Sequence, residues 1–115
     1  MGRMEREKGA RFEREIADVF KQWGFGAYRT AQFRGNTGRC SDIEGVPDLH
    51  IECKHQERMC LYNWMKQAIS DNRASERALI PVVIHKANKK PVLISMELKD
   101  FLRIFSEWEG MNGSI

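Results

Sequence analysis

The octapeptide PDLHIECK, residues 47–54, sets a carboxylate, Glu52, and an ammonium, Lys54, two residues apart. Its polar and apolar residues alternate as in a strand. Leu49, Ile51 and Cys53 fall on one side, and His50, Glu52 and Lys54 on the other. An acid and an amine side by side, next to a second acid, can hold a divalent ion and activate a water. That combination suits hydrolysis of a phosphodiester. The same eight residues also read as a half-buried edge strand with a solvated polar face, so the remaining acids must decide.

Asp48 is the nearest partner in sequence, yet four residues along a strand span roughly 13 Å, at about 3.3 Å per residue. A shared Mg²⁺ needs carboxylate oxygens at about 2.1 Å. Asp42 does better. If the chain reverses between Gly45 and Pro47, Asp42 folds back opposite residues 49–52, and cross-strand neighbours lie about 5 Å apart. Asp42 and Glu52 then converge on one ion, with the carbonyl of Cys53 as a further ligand and Lys54 beside the attacking water. The register is open by one residue, which keeps Asp48 in reserve.

The elements that must position these groups follow from periodicity. Phe12, Ile16, Val19, Phe20 and Trp23 recur at helical spacing and predict a helix over residues 7–23, stopped at Gly24. Glu13 borders its apolar stripe. GAYRTA (26–31) reads as a short strand, and SDIEG and DLHIECKH as two strands joined by a tight turn at Val46 and Pro47. A helix is expected from Met59 to Arg73. Two strands, PVVIHKA and PVLISM, follow with a hairpin at Asn88-Lys89-Lys90. A last helix, 97–108, carries Leu98, Phe101, Leu102, Phe105 and Trp108. The expected order is αβββαββα: an α/β (α+β) domain with a small mixed sheet flanked by helices. Residues 1–108 make one domain, and 109–115 a flexible C-terminal tail.

At 115 residues the chain can bury one core but has no room for a separate substrate domain. No apolar run approaches the roughly 20 residues that span a bilayer, so a cytoplasmic protein, bacterial or in a phage-infected cell, is expected. The net charge of +3 is uninformative as a sum; its distribution says more. RTAQFRGNTGR, residues 29–39, has Arg29, Arg34 and Arg39 and no acid, which suits phosphate contacts as well as a solvated loop. Phe33 could stack on a base or wedge a junction. His55, Arg58 and Lys66 extend this basic track, while Lys86, Lys89 and Lys90 read better as a solvated hairpin tip. Cys40, Cys53 and Cys60 are odd in number and unpaired in spacing, so a disulfide framework is not expected; with His50 and His55 nearby but no CxxC or HxxxH spacing, neither is a zinc site. Cys53 reads as a small buried hydrophobe.

Asp42, then Glu52-Cys53-Lys54 on the next strand, after a helix bearing Glu13, resembles the PD-(D/E)XK nuclease superfamily. Within it the chain is similar to the archaeal-type Holliday-junction resolvases and their bacteriophage relatives. KGARFERE matches their opening helix, SDIEG the strand of the motif aspartate and LHIECK the Glu-X-Lys strand. The resemblance covers roughly residues 8–105. It implies a restriction-endonuclease-like core and a site of Glu13, Asp42, Glu52, Lys54 and Gln67. It further implies Mg²⁺ or Mn²⁺ held by Asp42, Glu52 and Cys53 with Glu13 direct or through water, and DNA contacts from Arg14 and Arg29. The implied partners are branched or four-way DNA and a second copy of the chain, because paired nicks in a two-fold junction need two sites. Two features depart from the pattern: Ser41 stands where proline precedes the motif aspartate, and the hairpin is short. Alternatives are a related phage nuclease cutting flaps or nicking duplex (VRR-type), a DNA-binding module that no longer cuts, and a small protein-interaction domain.

Overall fold

The computed structural model describes residues 2–30 and 41–112. The expectations for Phe33, Arg34 and Arg39 lie outside the described residues. The elements are α1 (Arg3–Gln22), β1 (Tyr28–Arg29), β2 (Ile43–Glu44), β3 (Leu49–His55), α2 (Leu61–Ser75), β4 (Ile80–Lys86), β5 (Leu93–Met96) and α3 (Leu98–Met111). This is the expected αβββαββα order. Helix α1 begins four residues before the expected start at residue 7. Its first turn is held by polar contacts instead: the Gly2 amide donates to Glu5 Oε1 at 2.7 Å, and Arg3 pairs with Glu7 at 3.0 Å. Helix α3 continues to Met111, three residues past the expected end at 108.

The five strands lie in the order β1-β2-β3-β4-β5, antiparallel except for the parallel pair β3–β4. A parallel pair needs a crossover, and α2 supplies it. Strand β3 is therefore central, not an edge, and helices cover both of its faces. On one face Phe12, Ile16 and Ala17 of α1 pack on Ile51, Cys53, Val82 and Ile84. On the other, Trp64 and Ala68 of α2 pack on Val83. Each large side chain so buried stabilises the fold by roughly 1.5–3 kcal/mol. The polar side of β3 is thus not solvated as an edge strand's would be: His50 is 1% and Glu52 4% exposed. Among the described residues no helix is long and apolar enough to cross a membrane.

Two clamps fix the geometry. The Asn72 side chain accepts from the Leu79 amide at 3.2 Å and donates to its carbonyl at 2.8 Å, tying the end of α2 to the start of β4. Between β2 and β3 the chain reverses through Gly45 (φ +89) and Asp48 (φ +69). A Cβ at Gly45 would sit 2.0 Å from the Gly26 carbonyl oxygen, a backbone atom that cannot swing aside. Gly45→Ala therefore meets both an unfavourable φ and a clash. We expect it to destabilise the protein by at least about 2 kcal/mol in urea unfolding, whereas Gly110→Ala, with open space around it, should be near neutral.

Candidate active site

The reversal at Gly45 sets the register. Ile43 lies opposite Ile51, and the Asp42 amide donates to the Ile51 carbonyl at 2.7 Å. One step further along the same antiparallel ladder brings Asp42 opposite Glu52. The register thus places Asp42, and not Asp48, opposite Glu52. Asp48 sits exposed in the turn, where its carbonyl accepts from the Ile80 amide at 2.8 Å. It takes no part in the acid cluster.

Asp42 is locked from both sides. Its Oδ2 accepts the Cys53 amide at 2.8 Å, and its own carbonyl accepts the Thr30 amide at 2.9 Å. Ser41, the departure from the family pattern, is 3% exposed. Its hydroxyl lies 2.8 Å from both the Ile43 carbonyl and Glu44 Oε2, and its own carbonyl accepts from Thr30 Oγ1 at 2.7 Å. A hydrogen-bonded serine thus supplies the rigidity a proline ring would give. In a strand a residue's carbonyl leaves on the same edge as its N–H. The Cys53 carbonyl consequently faces the Asp42 side, while its thiol is buried in the α1-side core, where desolvation pushes its pKa up.

Glu13 enters from α1. It is 9% exposed, and its Oε1 accepts from Arg29 Nε at 2.7 Å. Burial holds its carboxyl above the usual range against the pull of Arg29, and Glu52 adds to the rise. Burial first, then the charges of Glu52 and Glu13, push Asp42 up from 3.8 to about 8. The Cys53 amide and Lys54 only partly offset this. Three carboxyl groups thus share one half-dry volume with too little positive charge. Lys54, on the Glu52 face, donates to Gln67 Oε1 of α2 at 3.4 Å, which brings Gln67 to the lysine.

The basic residues divide. Arg29 is bound to Glu13 as its counter-charge, and with Arg3, Arg6 and Glu13 it lines a cleft of about 510 Å³. Arg14 is exposed next to Glu13, and Arg58 is exposed beyond β3. His55 is not brought to the acids. Its ring packs 5.3 Å from that of Phe12, on the α1 side, and its Nε2 lies 2.9 Å from Asn88 Oδ1. The larger groove, about 1030 Å³, is apolar and lies away from this chemistry, between α2, β5 and the start of α3.

Two residues at the cluster escaped the sequence reading. Asp71 lies one helical turn after Gln67, so it shares that face of α2; burial and then Glu52 raise its carboxyl pKa. His50, two residues before Glu52, has Nε2 3.4 Å from Glu52 Oε2. The i, i+4 spacing of Gln67 and Asp71 was the available signal.

A mixed sheet with two acids converging beside a lysine on its central strand defines a nuclease of the PD-(D/E)XK type. The family model described as "Phage putative PDDEXK endonuclease" matches residues 4–111, and the chain belongs to that family. Among solved structures it is similar to the Holliday junction resolvase Hjc of the archaeal hyperthermophile Archaeoglobus fulgidus. The TM-score is 0.55 at 25% identity, over 77% of this chain and 72% of that one. A search among curated proteins gives no match.

The raised Asp42 pKa has a consequence for stability. The folded protein holds that proton more tightly than the unfolded chain, so the contribution is complete below about 3.8 and is lost as pH rises through about 8. In metal-free buffer, Asp42→Asn should raise Tm at pH 9 by at least about 4 °C. The gain should vanish near pH 4. An equal shift at both pH values would show that Asp42 is not held protonated by its neighbours.

Proposed function

We propose that the protein is a divalent-metal-dependent, structure-selective DNA endonuclease, and specifically a Holliday-junction resolvase acting in the cytoplasm of a phage-infected bacterium. The observation that carries this reading is the convergence of Asp42 and Glu52 across the β2–β3 ladder, with Lys54 on the same face. The donor set fits a hard cation: two carboxylates and the Cys53 carbonyl, with an Asp42 raised to about 8 first by burial and then by the charges of Glu52 and Glu13. Asp42, Glu52 and Cys53 would hold Mg²⁺ or Mn²⁺, with Glu13 directly or through water. When bound, the ion neutralises charge developing on the phosphate oxygens.

The chain's own groups do the rest. Lys54 Nζ, steadied by Gln67, orients the attacking water and the scissile phosphate. Arg29 keeps Glu13 in place and, with Arg3 and Arg6, presents positive charge to the DNA backbone along the adjoining cleft. Arg14 and Arg58 extend that track, and the sequence adds Arg34 and Arg39 as further candidate DNA contacts.

A four-way junction also needs two opposed sites. Helix α3 supports a C2 dimer: Phe101, Phe105 and Trp108 stack in a row with ring centroids 5.7 Å apart, and they stay 46%, 43% and 53% exposed. Solvent is a poor partner for such a row. Sedimentation should give twice the 13.4 kDa chain mass, and Phe105→Glu should yield monomers.

Cleavage is tested with labelled four-way junction, flap and linear duplex, in Mg²⁺ or EDTA. Paired nicks in the junction are expected, abolished by EDTA and by Glu52→Gln. Lys54→Ala should retain metal binding and lose roughly 100-fold or more in rate. Preference for flaps would replace the resolvase reading with that of a related nuclease. Binding without cleavage under either metal would leave a DNA-binding module.

A further inference from the structure

Glu52 has a second set of neighbours on the side away from Asp42. A ring nitrogen of His50, a Glu52 carboxylate oxygen and an Asp71 carboxylate oxygen all lie within 4.8 Å of one another, at the seam between β3 and α2. His50 is 1% exposed, and its Nε2 has no hydrogen-bond partner, although Glu52 Oε2 is 3.4 Å away. A buried imidazole nitrogen seldom goes unpartnered, because the desolvation penalty is about 1–3 kcal/mol. Among the described residues one other buried side-chain atom shares that condition, Asp100 Oδ2 on α3. The other buried histidine, His85, has its Nε2 2.9 Å from Ser95 Oγ.

We propose that His50, Glu52 and Asp71 form a second cation site, selective for a first-row transition ion such as Zn²⁺ or Co²⁺ over Mg²⁺. The inference rests on the nuclease reading in one respect: Glu52 is then shared by two ions, one on its Asp42 side and one on its His50 side. The ligand chemistry sets the selectivity. Imidazole nitrogen suits zinc and its transition-metal neighbours, whereas Mg²⁺ prefers an all-oxygen shell. Bonds of about 2.0–2.2 Å put neighbouring ligand atoms roughly 3–3.5 Å apart. The set therefore closes by a small rotation of Asp71, which is half-buried on α2 and can turn. Both flanking elements are rigid: β3 is the central strand, and Ala68, one turn before Asn72, is fully buried against Val83.

The test uses the full chain, stripped of metal and titrated with Co²⁺ in the presence of millimolar Mg²⁺. Binding is followed by calorimetry, visible absorption and the NMR signal of the His50 ring. Retention of one tight Co²⁺ per chain, a strongly shifted His50 signal, and loss of both in Asp71→Asn would establish the site. His50→Gln should lose them too; if it fails to fold, Asp71→Asn and the wild-type ring signal suffice. Asp42→Asn should keep the ion. Displacement of all Co²⁺ by Mg²⁺, an unmoved His50 signal, or unchanged Co²⁺ binding in Asp71→Asn would overturn the proposal. The two readings fail separately. Junction cleavage with no His50-dependent Co²⁺ removes this site and leaves the nuclease. His50-dependent Co²⁺ without cleavage does the reverse.

Discussion

The whole arrangement depends on one antiparallel register, that of β2 against β3. It brings Asp42 and Glu52 to the same place from strands that would otherwise keep their charges apart. Like charges in a half-dry volume repel, and the fold tolerates this because the backbone, not the carboxylates, holds the two strands together. The Asp42 amide is bonded to Ile51 of β3 and its carbonyl to Thr30, just past β1, and its side chain is fixed by the Cys53 amide. The electrostatic cost appears as a proton retained by Asp42 up to about pH 8. A cluster of this kind is stable only because the surrounding ladder over-determines it.

Around that ladder the two helices have distinct tasks. Helix α1 buries an apolar face on the sheet and carries Glu13 at the margin of that face, where Arg29 of β1 balances it at 2.7 Å. Helix α2 covers the opposite face and brings Gln67 to Lys54 and Asp71 to His50 and Glu52. Glu52 is thus the meeting point of both layers. Helix α3 differs, since among its described residues only Asp100 is buried, which leaves its aromatic row exposed.

Much of this was legible in the sequence. The order of elements followed from apolar spacing, and the choice of Asp42 over Asp48 followed from strand rise. What periodicity could not register was set by the tertiary layer. A two-state alternation cannot distinguish an edge strand from a central one, so the burial of His50 and Glu52 became visible only with α2 laid over them. The first turn of α1 is held by Glu5 and by the Arg3–Glu7 pair, and polar residues leave no apolar trace. His55 looked like an extension of the basic track, yet it lies one step beyond Lys54 and so falls on the opposite face. Asp71 was missed because an acid on a helix is unremarkable until the strand it faces is known.

The bonds joining Thr30 to Ser41 and Asp42 close the base of the intervening stretch of chain: 2.9 Å between the Thr30 amide and the Asp42 carbonyl, and 2.7 Å from the Thr30 hydroxyl to the Ser41 carbonyl. Such a neck mechanically insulates the acidic centre from whatever is spliced between positions 30 and 41. Doubling the length of an insert there adds only about 0.6 kcal/mol of closure entropy. The length of chain between those positions can therefore change while Asp42 stays in register with Glu52.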